Sequence, residues 1–180
     1  MSKGIAIIIA ALLLAGCGSK EEANMQQPDT ILNEKAISYE LAGDKVQEAD
    51  SIPNKEKKAL LAAFDEYIEA FNAADIDRYM ATISKTPQGF DYDEDKEAAE
   101  EVFATYEVNR QAEDITVIEY DKNSAQVFAN LTIDMEEASS GATLSSSGRQ
   151  VTVFVKEEGD WKVTSVYFIG NETSHVDNLQ

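Results

Sequence analysis

Between Pro53 and Tyr106 apolar side chains recur every three or four residues, and beyond Val108 they alternate. In the first stretch Leu60, Leu61, Phe64, Tyr67, Ile68 and Phe71 share one helical face, with Lys57, Lys58, Asp65, Glu66 and Glu69 mostly opposite. This spacing predicts an amphipathic helix of about four to five turns, opening at Pro53-Asn54. Asp75 is placed to cap a second, shorter helix whose apolar face is Ile76, Tyr79, Met80 and Ile83. Pro87 and Gly89 close that region. A third helix is expected from about Asp95 to Tyr106, with Ala98, Ala99, Val102, Phe103 and Tyr106 turned inward. Asp93, Glu94, Asp95 and Glu97 stand at its positive end, where the helix dipole favours anions.

Past Val108 the period is two, the signature of strands. Ile115 and Val117 alternate before a turn at Asp121-Lys122-Asn123, and Ala125, Val127, Ala129, Leu131, Ile133 and Met135 then give one long apolar face. Glu137–Ser147, rich in Ser, Gly and Ala, reads as a loop, Val151, Val153 and Val155 as a strand, and Glu158-Gly159-Asp160 as a tight turn. On the last strand Trp161, Val163, Ser165, Tyr167 and Ile169 are expected on one face and Val166 and Phe168 on the other, before a polar tail, Asn171–Gln180. Helices first and an antiparallel meander second predict an α+β fold with the helices on one face of the sheet. Large apolar groups on both faces of the last two strands (Phe154, Val166, Phe168) call for cover on the other side by a tail, linker or second subunit.

The chain opens differently. Met1-Ser2-Lys3 is followed by an apolar run, Ile5 to Leu14. That is about half the roughly twenty residues a membrane-spanning helix needs, and it fits the apolar centre of a secretion signal. The step Leu14-Ala15-Gly16-Cys17 resembles the lipobox of bacterial lipoproteins. The resemblance implies diacylglyceryl transfer to the Cys17 thiol, cleavage before Cys17, and acyl chains such as palmitate holding the product on the outer side of the cell membrane. Each buried methylene contributes roughly 0.8 kcal/mol, so two or three chains anchor firmly. Cys17 is the single cysteine, so it has no disulfide partner within the chain. Residues 1–16 then form a signal peptide, 17–52 a lipidated polar tether, 53–170 the domain and 171–180 the tail. Within the tether Ile37, Tyr39 and Leu41 alternate as a short strand would.

Charge narrows the partners. The chain carries 15 Lys and Arg against 34 Asp and Glu, a net −19, and loss of residues 1–16 removes one Lys and no acid, giving −20. Such a surface repels nucleic acid and anionic headgroups, and suits solubility or basic partners.

The helix pair Leu60–Ile83, with Tyr67, Phe71-Asn72-Ala73-Ala74-Asp75-Ile76 and Met80, resembles the opening of the NTF2-like (SnoaL/ketosteroid-isomerase-like) superfamily. Glu158-Gly159-Asp160-Trp161-Lys162-Val163 is similar to that superfamily's last hairpin, and the resemblance spans about residues 55–170. It implies a cone in which three helices pack on a curved antiparallel sheet and enclose a pocket, often within homodimers. Members serve as isomerases, dehydratases, cyclases or non-catalytic binding modules, so fold alone does not decide function.

Enzymatic members of that superfamily place a carboxylate or His in an apolar pocket, often just after the second helix in an Asp-rich turn, where the apolar setting lifts a carboxylate towards useful pKa values. Here that turn is Ile83-Ser84-Lys85-Thr86-Pro87-Gln88, with neither. Asp134 is the one acid inside a strand pattern, and a solvated edge position is expected for it. Asp91-Tyr92-Asp93-Glu94-Asp95 matches the start of a calcium loop, but Lys96 and Val102 stand where Gly and Glu are required, so helix capping is expected instead. His175 stands alone in the tail. The aromatic set Tyr67, Phe71, Tyr79, Phe103, Phe128, Trp161 and Tyr167 is core by spacing, and is the expected lining of any pocket. No cofactor or metal is expected. The reading is a membrane-anchored lipoprotein whose domain binds a small ligand or an envelope protein without catalysis, with a small lyase or isomerase as the alternative.

Overall fold

The computed structural model describes residues 46–171 and, for the backbone, 175–177. Helix α1, Asn54–Asn72, buries Leu60, Phe64, Tyr67, Ile68, Ala70 and Phe71, the stripe the periodicity marks. Pro53 opens it at φ −62°, an angle its ring fixes. The helix ends in a Schellman motif: the Asp75 amide bonds Ala70 O and the Ala74 amide bonds Phe71 O, with Ala74 at φ 51°. Asp75 then accepts from the Arg78 amide and caps α2, Ile76–Thr82. The two helices thus meet with no free linker, and Arg78 ties them by a forked ion pair to Glu66 and a bond to Glu69.

Helix α3 runs Tyr92–Thr105, one turn earlier than the periodicity suggests. Asp91 accepts from the amides of Asp93 and Glu94, which satisfies donors the first turn leaves open. The acidic loop is therefore a cap, as expected. Of the five residues expected inward only Ala99 is buried; Ala98 is exposed, Val102 and Phe103 are half-buried, and Tyr106 belongs to the next strand.

Strand β1, Tyr106–Tyr120, follows α3 directly. With β2 (Ser124–Glu137), β3 (Thr143–Glu157) and β4 (Asp160–Gly170) it forms a meander in the order β1-β2-β3-β4. Glu158 at φ 53° and Gly159 at φ 98° make the two-residue turn between β3 and β4, the left-handed pair that hairpin twist favours. The sheet is curved, with the helices on one face. That helix-side face carries Val117, Ala125, Val127, Ala129, Leu131, Phe154 and Val163 in one core with the three helices. Phe128, Val151 and Val153 form a separate cluster, with Ile118, Tyr167 and Val46 packed on it. The alternation in β2 places these on the far face.

Several departures have local causes. The Glu137–Ser147 loop shrinks to a turn, because Thr143–Ser147 pairs with Thr132–Glu136 despite its Ser content. In β4 a bulge between Val153 and Phe154 of the partner strand shifts the register past Thr164. Trp161 and Val163 join the helix-side core, whereas Tyr167 packs on the far face. A one-residue slip exchanges faces, so a strict alternation from Trp161 to Ile169 does not hold. The tail is not wholly free of structure: β5, His175–Asp177, pairs with Thr143–Ser145. Residues 46–52 are also part of the domain, with Ala49 N bonding Val117 O and with Val46, Ala49 and Ile52 packed on the two clusters. The strand expected near Ile37–Leu41 lies outside the described residues. Asp134 sits in β2, which is paired on both sides, and so is not at an edge.

Candidate functional site

A pocket of about 330 Å³ lies between the three helices and the sheet. Tyr67 and Phe71, one turn apart on α1, supply one wall, and Tyr79 from α2 packs against both at ring separations of 5.7 and 5.2 Å. Helix α3 contributes Asp95, Ala98, Ala99 and Val102, strand β1 Arg110, and β4 Val163 and Val166. The walls are mostly apolar, and the polar groups converge.

Tyr79 Oη donates to Asp95 Oδ2 at 3.1 Å. Burial, reinforced by its neighbours Tyr67 and Asp95, pushes the Tyr79 phenol far above its usual range, so it stays a donor at physiological pH. Burial also raises the Asp95 carboxyl, against the opposing pull of the Tyr79 bond and of Arg110. Arg110 lies with its guanidinium carbon 3.5 Å from the centre of the Phe71 ring, in cation–π contact. Its Nε is buried and bonds nothing.

Asn72 fixes that arginine in place. Asn72 Nδ2 donates to Arg110 O and Arg110 N donates to Asn72 Oδ1, both at 2.8 Å. β1 is the outer strand of the sheet, so the amide side chain completes the pairing that a further strand would have made. One turn of α1 thereby presents Phe71 to the guanidinium and Asn72 to the backbone beneath it.

A wider hollow of about 660 Å³ lies next to it, lined by Phe71, Phe103, Tyr106, Val108, Met135 and Leu144 among others. Its acids Glu107 and Glu136 are exposed, and Asp134 accepts from Ser145 Oγ at 2.6 Å, so no buried ionisable groups converge there. We place the site in the smaller pocket for that reason.

The aromatic residues expected to line one pocket are divided. Tyr67, Phe71 and Tyr79 line the smaller pocket, and Phe71 and Phe103 the larger. Trp161 borders a crevice beside Arg78 and Lys162, under Lys156 at 5.0 Å. Phe128 and Tyr167 are in the far-face cluster, removed from the pocket by the strand pleat and the β4 bulge. Cys17 lies outside the described residues. Asp95 and Arg110 escape a reading by spacing: Asp95 passes as one more acid at a helix start. Arg110 has a faint signal, for it interrupts the inward series Tyr106, Val108, Ala112 between outward Asn109 and Gln111. Among the described residues no group of three or more His, Cys, Asp or Glu side chains could hold a metal ion, and no helix is long and apolar enough to cross a membrane.

No curated protein matches the chain. Among solved structures it is similar to a protein of Novosphingobium aromaticivorans described as a candidate aromatic ring hydroxylase (TM-score 0.65, 16% identity, 71% of this chain and 96% of that one). It is likewise similar to a candidate scytalone dehydratase of the same species (TM-score 0.62, 12% identity, 70% and 90%). A third is an NTF2-like superfamily protein of Salmonella enterica (TM-score 0.60, 14% identity, 66% and 93%). Likeness at these identities shows the NTF2-like fold and nothing of the chemistry. Residues 62–170 match the family model described as "Anti-sigma-I factor RsgI9, C-terminal domain", which takes in more than half of the 180 residues. The chain belongs to the family of the anti-sigma-I factor RsgI9 C-terminal domain, on an NTF2-like fold.

Proposed function

We propose that the protein is a lipid-anchored, extracytoplasmic module that binds a small ligand in the pocket beside Arg110 and performs no reaction on it. One observation carries the reading: an apolar pocket of about 330 Å³ lined by a cation, Arg110, that makes no ion pair among the described residues. A charged donor that gains an acceptor contributes about 1.5–3 kcal/mol, and a ligand in this pocket can supply that acceptor. The family takes its name from an anti-sigma factor, a regulatory protein, in which a domain that binds and reports suits the task better than one that turns over substrate. The anchor rests on the lipobox-like step at Cys17 and the polar stretch that follows it.

A small lyase or isomerase remains the second reading, favoured by Asp95, a pocket carboxyl that burial raises above its ordinary value. Against it, Tyr79 already donates to that carboxylate, and the charge of Arg110 favours its ionised form. Fractionation of cells fed labelled palmitate tests the anchor. The wild-type chain should carry label and sediment with membranes, while Cys17→Ala should accumulate as unlabelled, uncleaved precursor. Normal processing and membrane retention of Cys17→Ala would sink it.

A further inference from the structure

The ligand-binding reading of this pocket can be taken further, to a chemical class. Four features of Arg110 bear on it. Its backbone is clamped at both polar atoms by Asn72, so the side chain leaves β1 from a fixed point. Its guanidinium carbon lies 3.5 Å from the centre of the Phe71 ring, and the residue lines the pocket. Its Nε is buried without a partner. No ion pair involving it forms among the described residues. Asp95, on the same pocket wall, feels its charge but makes no ion pair with it.

A cation held in apolar surroundings without a paired anion is costly, and an anion that reaches it gains accordingly. The planar fork of a guanidinium matches a carboxylate in two parallel bonds, which an ammonium ligand cannot offer. The negative charge of Asp95 weighs against a doubly charged group such as phosphate. The remaining walls, among them Ile83, Phe90, Ala99, Val102 and Val166, ask for an apolar body. The volume of about 330 Å³ lies at the small end of ligand sites. At roughly 30 Å³ for each water-sized group it holds about ten of them.

We infer that the pocket takes a small monocarboxylate with a flat or compact apolar body, its carboxylate on the Arg110 fork and its body against Val102 and Val166. Asn72 acts as a positioning residue through Arg110. Asp95 tunes selectivity by repelling excess negative charge.

The test is an NMR and calorimetric titration of the processed protein in detergent with benzoate, phenylacetate, benzamide and benzylamine. Benzoate or phenylacetate should shift the resonances of Val102 and Val166 and bind at least tenfold more tightly than benzamide. Arg110→Met, which keeps chain length over Phe71, should weaken the carboxylates roughly tenfold to a hundredfold. Asp95→Asn should strengthen them severalfold and weaken benzylamine. Should Arg110→Met fail to fold, the Asp95→Asn comparison still decides. Benzamide or benzylamine binding at the same resonances as tightly as benzoate would overturn the ligand class and leave the binding reading standing. Absence of any shift at the pocket with all four probes would overturn both. Carboxylate binding unchanged in Arg110→Met would overturn the assignment to Arg110.

Discussion

Replacing Asn72 with Ala removes two hydrogen bonds that join the end of α1 to the outer edge of β1. Both are 2.8 Å long and both end on the backbone of Arg110. A net value of about 1 kcal/mol for each gives a loss near 2 kcal/mol. The figure would be larger were the freed amide and carbonyl kept from water. Asn72 is only half-buried at the end of its helix, so water can take over part of the bonding. For a domain of this size that loss lowers Tm by roughly 6–12 °C. Urea unfolding should show a lower midpoint at unchanged slope, since the surface exposed on unfolding is the same. Hydrogen exchange gives the local reading: the Arg110 amide should exchange faster than in the wild type, while Val127 in the sheet interior slows or speeds only with global stability. Asn72→Asp should not rescue, because it keeps an acceptor for Arg110 N but sets a carboxylate against Arg110 O. A loss below about 0.5 kcal/mol with unaltered exchange at Arg110 would refute the view that Asn72 completes the edge of β1.

Two further outcomes follow from the geometry. In Gly148→Ala the new Cβ would lie 2.4 Å from the carbonyl oxygen of Ile169 and 2.6 Å from the Phe168 ring, so β3 and β4 must separate. Chemical denaturation should show a loss of about 1–3 kcal/mol, the range for forced overpacking, and wild-type stability would contradict the close approach. For Asp95, a carboxyl raised by burial makes the folded state hold its proton to higher pH than the unfolded state, whose value is the ordinary 3.8. Its contribution therefore falls as pH rises from 3.8 through the raised folded value, and stays low above it. Stability measured against pH should show Asp95→Asn gaining on the wild type across that window. A difference that is flat, or of opposite sign, would mean that Tyr79 and Arg110 outweigh the burial.

Periodicity alone determined much of this protein. The i, i+4, i+7 stripe Leu60, Phe64, Tyr67 has one low-energy solution, a helix with that face buried, and Asp75 can start α2 because its capping bond is local. The alternation Ala125 to Met135 likewise dictates a strand with one face inward. The order of helices before strands was enough to give the α+β class, since such faces bury one another in few ways. The apolar run and Cys17 fixed the expectation of an anchor in the same local manner.

What only the tertiary structure decided depends on pairing and register. Thr143–Ser147 became strand because β2 offered a partner, and its own composition gave no sign of it. The bulge past Thr164 sent Tyr167 to the far face, a consequence of how β3 and β4 align and of no residue pattern within β4. The site belongs to this second kind. Asp95, Arg110 and Tyr79 come from α3, β1 and α2, and Asn72, Phe71 and Tyr67 from α1. Their meeting is set by where the helices dock across the sheet, a long-range packing result that local spacing does not encode. An arginine in an inward position of β1 is a polar residue out of place until Phe71 and Asn72 are brought against it.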